Sequence, residues 1–410
     1  MAQLALLGGD PVRTEPFPVW PPVTDAAAAA LTDTLREGVW GDVNGPRKTQ
    51  LERRFAAYQD ASFGIAVSNG TVSLQIALAA LGVGSGDEVI VPAYTFLATA
   101  TAVLGVNALP IFVDVDERTA CIDPSAVEAA ITPRTKAIIP VHLGGHPADL
   151  DALSALSQRH GIPLIEDAAQ AQGASWGEHR VGSIGSYGSF SFQASKNMTA
   201  GEGGLLTTND ESLAEIAWSL HNCGRSRSGR WYEHAQLGGN HRMTEFQAAL
   251  LLVQLDTAED KLRQRERAAA ELDRQLGQVD GLAPLIRDPR VTRHGYHLYQ
   301  FTYDAAQFGG VSRDRFTEAL RAEGIPCSGG YGIPLDQQPV FAKTAFDTKA
   351  TGYDPSYPPT RYGQLELPVT ARLCAQAVWI PQNVLLAAEA AIGAVGEAVR
   401  KVRHASDSLL

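Results

Sequence analysis

Short apolar runs alternate with helix-like stretches between about residues 60 and 210, and this alternation restricts the fold more than any other feature of the sequence. The runs predicted to be buried strands are Glu88–Val91, Leu109–Val113, Ala137–Val141 and Leu164–Ile165. The stretches predicted to be the helices between them are Thr71–Leu81, Pro124–Ile131 and Asp149–His160. Strands that alternate with helices are typical of a mostly parallel sheet with helices on both faces. The sequence therefore predicts an α/β fold.

The regions on either side predict a division into three parts. An alanine run at 26–30 predicts an N-terminal helix that ends at Gly38, so we expect residues 1–40 to form an N-terminal arm and helix. One long helix is predicted from Met243 to about Leu276. A second αβ region follows, with a strand at His297–Tyr303, a helix at Arg313–Glu323 and a final helix after Leu385. We therefore expect a large domain at 41–255 and a smaller C-terminal α/β domain at 256–410.

Charge and cysteine content argue against several classes of function. The chain has 410 residues and a formal net charge of -11. Proteins that bind nucleic acid need a basic face, so we expect no nucleic-acid partner. The four cysteines form no CxxC pair, so no metal site is predicted, and isolated cysteines fit a reducing compartment. Neither a signal-peptide pattern nor an apolar run of about 20 residues is seen, and we expect a cytoplasmic protein that does not enter the membrane.

A lysine in a glycine-rich segment is the strongest candidate for chemistry. The segment at 189–204 reads SFSFQASKNMTAGEGG, in which a strand-like run leads through small polar residues to Lys196 and a glycine-rich turn. A lysine at a strand end reaches into a cleft as a Schiff-base amine. Glycines let the backbone approach a ligand closely. Taken alone, the same pattern also fits a surface lysine.

A second candidate is an acid at the end of an apolar strand. The segment PLIEDAAQ at 163–170 places Asp167 there, where open α/β sheets bind their ligands. An aspartate at this point can pair with a protonated pyridine nitrogen, and Gln170, three residues on, is placed to reach a ring hydroxyl. Asp167 alone also fits the N-cap of a helix.

Two further segments lead from a strand into a turn. In VSNGTVS at 67–73, the hydroxyls and free amides at a helix start form a phosphate seat that includes Gly70 and Thr71. In PAYTF at 92–96, Phe96 or Tyr94 is placed to stack on a flat ring. An ordinary capped helix and a core aromatic are the alternative interpretations.

In this order (phosphate turn, stacking aromatic, aspartate, lysine) the chain resembles the fold type I pyridoxal-phosphate enzymes. More narrowly, it resembles the sugar aminotransferases called the DegT/DnrJ/EryC1/StrS family, over nearly its whole length. The resemblance includes GGNHRMTEFQAA at 238–249, which in the family reaches the cofactor phosphate of the neighbouring subunit. It implies a fold type I aminotransferase-like architecture and pyridoxal 5'-phosphate as cofactor, with pyridoxamine 5'-phosphate in the half-reaction. It also implies a homodimer of C₂ symmetry.

The resemblance gives a role to each matched residue. Lys196 is implied as the Schiff-base lysine and Asp167 as the partner of the pyridine nitrogen, and both are predicted to be catalytic. Other implied cofactor contacts are Gly70, Thr71 and Ser191 at the phosphate, Phe96 (with Tyr94 as the alternative) on the ring face, Gln170 at the ring hydroxyl and Asn240 from the partner chain. Many relatives have histidine at the position of Gln170. Tyr331 and His297 are candidates for the substrate pocket, and the Tyr- and Pro-rich loop at 352–363 for closing over it.

The N-terminal segments LGGDPVR at 7–13 and WP at 20–21, with YGIPL at 331–335, resemble the branch acting on keto-cyclitols such as scyllo-inosose, and also aminohydroxybenzoate synthases. We therefore predict amino transfer from glutamine or glutamate to a keto-cyclitol in antibiotic or secondary-metabolite biosynthesis. The alternatives are a nucleotide keto-sugar aminotransferase and a lyase similar to 3-amino-5-hydroxybenzoate synthase. Dehydratases of the family have histidine in place of the lysine, so Lys196 argues against a dehydratase. A non-enzymatic regulator is disfavoured because the cofactor positions are complete.

Overall fold

A seven-stranded sheet positions the candidate site. The computed structural model describes residues 3–41, 43–230, 232–342 and 362–410. In spatial order the strands of the sheet are β3 (Leu109–Val113), β2 (Glu88–Pro92), β4 (Thr135–Ile138), β5 (Ile165–Asp167), β8 (Tyr187–Ser191), β9 (Gly204–Thr208) and β1 (Phe63–Val67). A backbone hydrogen bond from Ile138 to Pro163 (3.1 Å) joins β4 to β5, and one from Asp167 to Pro140 (2.8 Å) continues the pairing just past the end of β4. Every neighbouring pair is parallel except the two pairs that involve β9. The predicted α/β class with a mixed, mostly parallel sheet is confirmed.

Helices cover this sheet, and local caps fix where they begin. Their bounds are α1 Asp25–Glu37, α2 Pro46–Tyr58, α3 Gly70–Ala80, α4 Leu97–Gly105, α5 Pro124–Ala130, α6 Leu150–His160 and α7 Glu211–His221. The Asn69 side chain accepts from the Val72 N–H at the start of α3, and Asp149 does the same from Ala152 at the start of α6. Gly38 ends α1 in the left-handed region, as the sequence predicts.

A second, three-stranded sheet lies beyond the first. It pairs β10 (Leu282–Pro284), β12 (Leu298–Tyr303) and β13 (Ala377–Pro381), all antiparallel. The remaining helices are α8 Glu245–Leu255, α9 Ala258–Leu276, α10 Arg313–Ala322, α11 Pro339–Ala342, α12 Pro368–Gln376 and α13 Glu389–His404. Of these, α8 packs against α1 and α2 rather than against the second sheet. The apolar core of the second sheet also includes Leu4 and Phe17 from the start of the chain. The division of the chain at residues 40 and 255 stays a prediction.

Small elements connect these two parts. Strands β6 (Ser175–Trp176), β7 (His179–Arg180) and β11 (Val291–Arg293) form a small antiparallel sheet. Short 3₁₀ turns occur at Ala5–Leu7, Leu143–Gly145, Ala305–Phe308, Leu335–Gln337, Val384–Leu386 and Ser406–Leu409. No helix in the described ranges is long and apolar enough to span a bilayer.

Two predicted elements are wrong in extent. The single helix predicted from Met243 to Leu276 is two helices, because Thr257 leaves helical geometry (φ -116°, ψ 5°) and its hydroxyl bonds back to the Gln254 carbonyl at 3.3 Å. The strand predicted over Ala137–Val141 is Thr135–Ile138, because Pro140 has no N–H and interrupts the regular ladder, although Ile139 and Val141 still pair with the neighbouring strands. The predicted loop at 352–363 lies outside the described residues, except for Tyr362 and Gly363.

Candidate active site

A cleft of about 940 Å³ opens where the carboxyl ends of the parallel strands meet the second sheet. Of the residues predicted from the sequence, the structure brings nine to its lining: Gly70, Thr71, Phe96, Asp167, Gln170, Ser191, Lys196, His297 and Tyr331. Asn240 is absent from this lining and is exposed on the surface. A contact of Asn240 with a partner chain therefore stays a prediction.

Lys196 lies in the turn that follows β8. Its N–H donates to the Gln193 carbonyl at 2.9 Å, and its own carbonyl accepts from the Trp20 indole Nε1 at 3.0 Å. Desolvation in the cleft lowers the pKa of Lys196 to about 8, and the charge of Asp167 acts in the opposite direction. A lysine with this pKa has an appreciable neutral fraction near pH 7, so it can act as a nucleophile or a base.

Asp167 ends β5 with its side chain in the cleft and is 6 % exposed. The Thr99 hydroxyl donates to its Oδ2 at 2.8 Å, and the Ala169 N–H donates to Oδ1 at 3.3 Å. Burial raises the pKa of Asp167, while these hydrogen bonds and the charge of Lys196 lower it. A cation brought against this carboxylate would therefore be stabilised.

The start of α3 forms one end of the cleft. The first N–H groups of a helix have no intrahelical acceptor, so those of Gly70 and Thr71 are suited to an anion. A Cβ on Gly70 would lie 2.8 Å from the Ser191 Cβ, so a larger residue here would displace the Ser191 side chain. The hydroxyls of Thr71 and Ser191 line the same end of the cleft. This end is suited to a phosphate group.

The two aromatic candidates for ring stacking differ in position. Phe96 lines the cleft and is 61 % exposed, whereas Tyr94 is buried and outside the lining. Tyr94 instead packs edge-on against Tyr331, with ring centroids 5.3 Å apart. Phe96 is therefore the better placed of the two for a flat ligand.

Gln170 and the rings of His297, Tyr331 and Trp379 form another wall of the cleft. The Gln170 Oε1 accepts from the Gly144 N–H at 2.6 Å, and Tyr331 lines the same cleft. Tyr331 packs edge-on against Trp379 with centroids 4.7 Å apart. Burial places the pKa of His297 well below its usual range, so its imidazole is neutral. This wall offers neutral polar groups and aromatic surface.

Sequence reasoning missed several residues of the cleft lining, among them Thr99 and Trp379. Thr99 is hidden in an apolar helix, although its spacing of four from Thr95 is a weak signal of a shared face. Trp379 belongs to an apolar strand, and only the pairing of β13 with β12 brings it to the cleft. Nothing local in the sequence marks that long-range pairing.

A lysine and a buried carboxylate that share a cleft at the carboxyl ends of a mostly parallel sheet are the groups that a fold type I enzyme needs to use pyridoxal phosphate, and the family match shows that this chain is an aminotransferase of that class. The DegT/DnrJ/EryC1/StrS aminotransferase family matches residues 22–400, and the chain belongs to that family.

Curated relatives and a solved structure agree with this assignment. A putative L-glutamine:3-amino-2,3-dideoxy-scyllo-inosose aminotransferase of Streptoalloteichus tenebrarius is 41% identical, over 100% of this chain and 99% of that protein. An L-glutamine:2-deoxy-scyllo-inosose aminotransferase of the same organism is also 41% identical, over 98% of each chain. The crystal structure of 3-amino-5-hydroxybenzoic acid synthase superposes with a TM-score of 0.85 at 36% identity, over 95% of this chain and 99% of that one.

Proposed function

We propose that this chain binds pyridoxal 5'-phosphate and transfers the amino group of glutamine to a keto-cyclitol. The observation that carries the proposal is the cleft that holds Lys196 and Asp167 together with the anion-binding start of α3. These groups match the three parts of the cofactor, which are an aldehyde, a ring nitrogen that takes a proton, and a phosphate. The names of the two glutamine-dependent relatives support the choice of donor and acceptor.

The residues present fit the cofactor. Lys196 would hold its aldehyde carbon, Asp167 its protonated nitrogen and Gln170 its ring hydroxyl. Gly70, Thr71 and Ser191 would hold the phosphate, with Phe96 over the ring. When bound, the cofactor supplies an electron-withdrawing ring that stabilises negative charge on the carbon bearing the amino group.

Lys196 and Asp167 would have different roles in the reaction. The pKa of Lys196 is about 8, so its amine can take a proton from the reacting carbon and return it to a neighbouring position. Asp167 would hold positive charge on the ring nitrogen and is itself held by Thr99 at 2.8 Å. Donor and acceptor would use the same cleft in turn, which predicts ping-pong kinetics.

The charge of the cleft supports a neutral acceptor. Of the lining residues that the structure describes, Lys196 is the single lysine, and none is an arginine. A nucleotide diphosphate would need cations to balance it. His297, Tyr331 and Trp379 instead offer neutral groups that suit the hydroxyls and C–H faces of a cyclitol.

We further propose a homodimer in which Asn240 completes the phosphate site of its partner. The exposure of Asn240, outside the cleft of its own chain, supports this arrangement. All four cysteines are free, which supports a cytoplasmic location.

The test is a panel of acceptors with the cofactor-loaded protein. Glutamine and glutamate would each be paired with 2-deoxy-scyllo-inosose, scyllo-inosose and a nucleotide keto-sugar, and amine products measured by mass spectrometry. We expect glutamine to aminate a cyclitol. Rapid amination of the nucleotide sugar with none of either cyclitol would contradict the proposal.

The second candidate is 3-amino-5-hydroxybenzoate synthesis, which the similarity to the solved synthase favours. Formation of that aromatic acid, with no amination of a cyclitol, would establish it instead.

A further inference from the structure

The N-terminal segment contacts the lysine that the cleft is built around. The indole Nε1 of Trp20 donates to the Lys196 carbonyl at 3.0 Å, across 176 residues of chain. The proposed chemistry gives Trp20 no role, and Trp20 is absent from the cleft lining. The contact acts on the backbone of Lys196 and leaves its amine free.

The Trp20 ring is itself held in place. The Arg265 guanidinium lies 5.6 Å from the ring centroid and the Lys261 ammonium 5.8 Å. Both distances are within the range of cation–π attraction. Arg265 is 2 % exposed, and its guanidinium donates to the Gln382 side chain. Trp20 therefore lies against a buried, fixed cation.

A second contact fixes the backbone next to Trp20. The Asn383 side-chain amide donates to the Pro18 carbonyl at 2.8 Å. Gln382 and Asn383 follow directly after β13, which ends at Pro381. The segment from Pro18 to Trp20 is thus tied to the end of the second sheet on one side and to Lys196 on the other.

We propose that Trp20 is a positioning residue for Lys196. Its N–H fixes the peptide from which the lysine side chain extends, and so keeps the amine at its depth in the cleft. This role rests on the proposed function of Lys196. It is also distinct from simple stabilisation, because losing the anchor would let the amine move towards water without unfolding the protein.

The test compares Trp20→Phe with Trp176→Phe in the full chain. Both changes remove an indole N–H from a tryptophan that lies under an arginine, since Arg290 is 4.4 Å from the Trp176 ring, but Trp176 is away from the cleft. Acetic anhydride labelling of Lys196 without cofactor would be followed by peptide mass spectrometry as a function of pH. In the wild type, labelling should be half-maximal near pH 8. In Trp20→Phe the midpoint should rise by about one unit, towards the ~10.4 of a free lysine, and in Trp176→Phe it should not move.

Kinetics give a second measurement with the cofactor-loaded protein. For Trp20→Phe we expect kcat to fall about tenfold with little change in the KM for glutamine, because the reacting group is displaced and the substrate contacts are kept. Asn383→Ala removes the hydrogen bond to the Pro18 carbonyl. It should raise the labelling midpoint and lower kcat, each by less than Trp20→Phe does. This variant carries the test if Trp20→Phe does not fold.

Unchanged labelling midpoints in Trp20→Phe and Asn383→Ala would overturn the positioning role, even if both melt at lower temperature. The labelling needs no turnover, so it separates this inference from the proposed function. If the midpoint moves as expected and glutamine proves not to be a donor, the positioning of Lys196 stands and the substrate assignment fails.

Discussion

Glu166 and Asp167 are neighbouring acids on one strand, yet they face opposite sides of the sheet and have different surroundings. Glu166 is fully buried and accepts from the N–H groups of Gly182 (2.7 Å), Ile184 (2.8 Å) and Gly185 (2.7 Å), with His142 at 3.0 Å. Asp167 faces the cleft with one short and one long hydrogen bond. Glu166 therefore has its full set of hydrogen-bond partners within the protein, whereas Asp167 has acceptor capacity left for a ligand.

The largest effect on turnover should come from Lys196, which lies in the cleft that Asp167 faces. Lys196→Ala should lower kcat by about a thousandfold or more, since both its nucleophilic and its proton-transfer roles are lost. The fold should persist, because Asp167, which loses the nearby charge of Lys196, can take up a proton in its buried site instead. Turnover would be measured with glutamine and a keto-cyclitol, with the exposed Lys136→Ala as control. Near wild-type transamination in Lys196→Ala would remove the lysine from the mechanism.

Asp167→Asn should come next and should separate activity from stability. We expect a barrier increase of about 3–5 kcal/mol in the single-turnover rate, because an amide holds the ring nitrogen's proton poorly. Burial raises the pKa of Asp167, so ionising it in the fold is unfavourable, and the cofactor-free variant should melt no lower than the wild type. A large loss of stability with an unchanged rate would make Asp167 a structural residue.

Glu166→Gln should show the reverse pattern. A glutamine keeps one acceptor oxygen and places an NH₂ group where the other oxygen was, so either the Gly182 N–H or those of Ile184 and Gly185 face a donor. The loss should lower the free energy of unfolding by about 2–4 kcal/mol. The rate of the folded fraction should stay closer to wild type than that of Asp167→Asn. Denaturant melts and single-turnover rates would be measured on both variants. If Glu166→Gln lost as much rate as Asp167→Asn, the two faces of the strand would not be functionally distinct.

The smallest effect should come from Thr99, which supports Asp167 from α4. Thr99→Val removes the hydrogen bond to Oδ2 and keeps the shape, and we expect kcat to fall by about three- to tenfold. Thr101→Val is a matched control on the same helix, because the Thr101 hydroxyl bonds to the backbone carbonyls of Leu97 and Ala98. Equal losses of kcat in the two variants would remove the special role of Thr99.

Local patterns predicted much of the fold and the meeting of the site residues. The strands β2 and β3 and the helix α3 lie within one residue of their predicted bounds, because their apolar runs and caps are local. Lys196 and Asp167 reach one cleft because carboxyl ends of parallel strands share an edge of the sheet. Their catalytic roles stay predictions.

The remaining features depend on contacts that no local pattern encodes. Trp379 reaches the cleft through the pairing of β13 with β12. Trp20 contacts Lys196 although 176 positions separate them in the sequence. The break between α8 and α9 depends on the backbone geometry of Thr257 alone. The apolar periodicity continues through it from Met243, so the sequence pattern did not indicate the break.

The position of Leu4 and Phe17 has a consequence for biosynthesis of the protein. Both lie in a core formed mainly by residues after 268, and the Ala5 N–H donates to the Glu323 side chain, 318 positions later. During translation these early residues leave the ribosome long before their partners exist, so they must wait in an unfolded state while the large sheet forms. The segment that carries Trp20 therefore docks late in folding, because Phe17 and Pro18 beside it are held by residues near the C-terminal end of the chain.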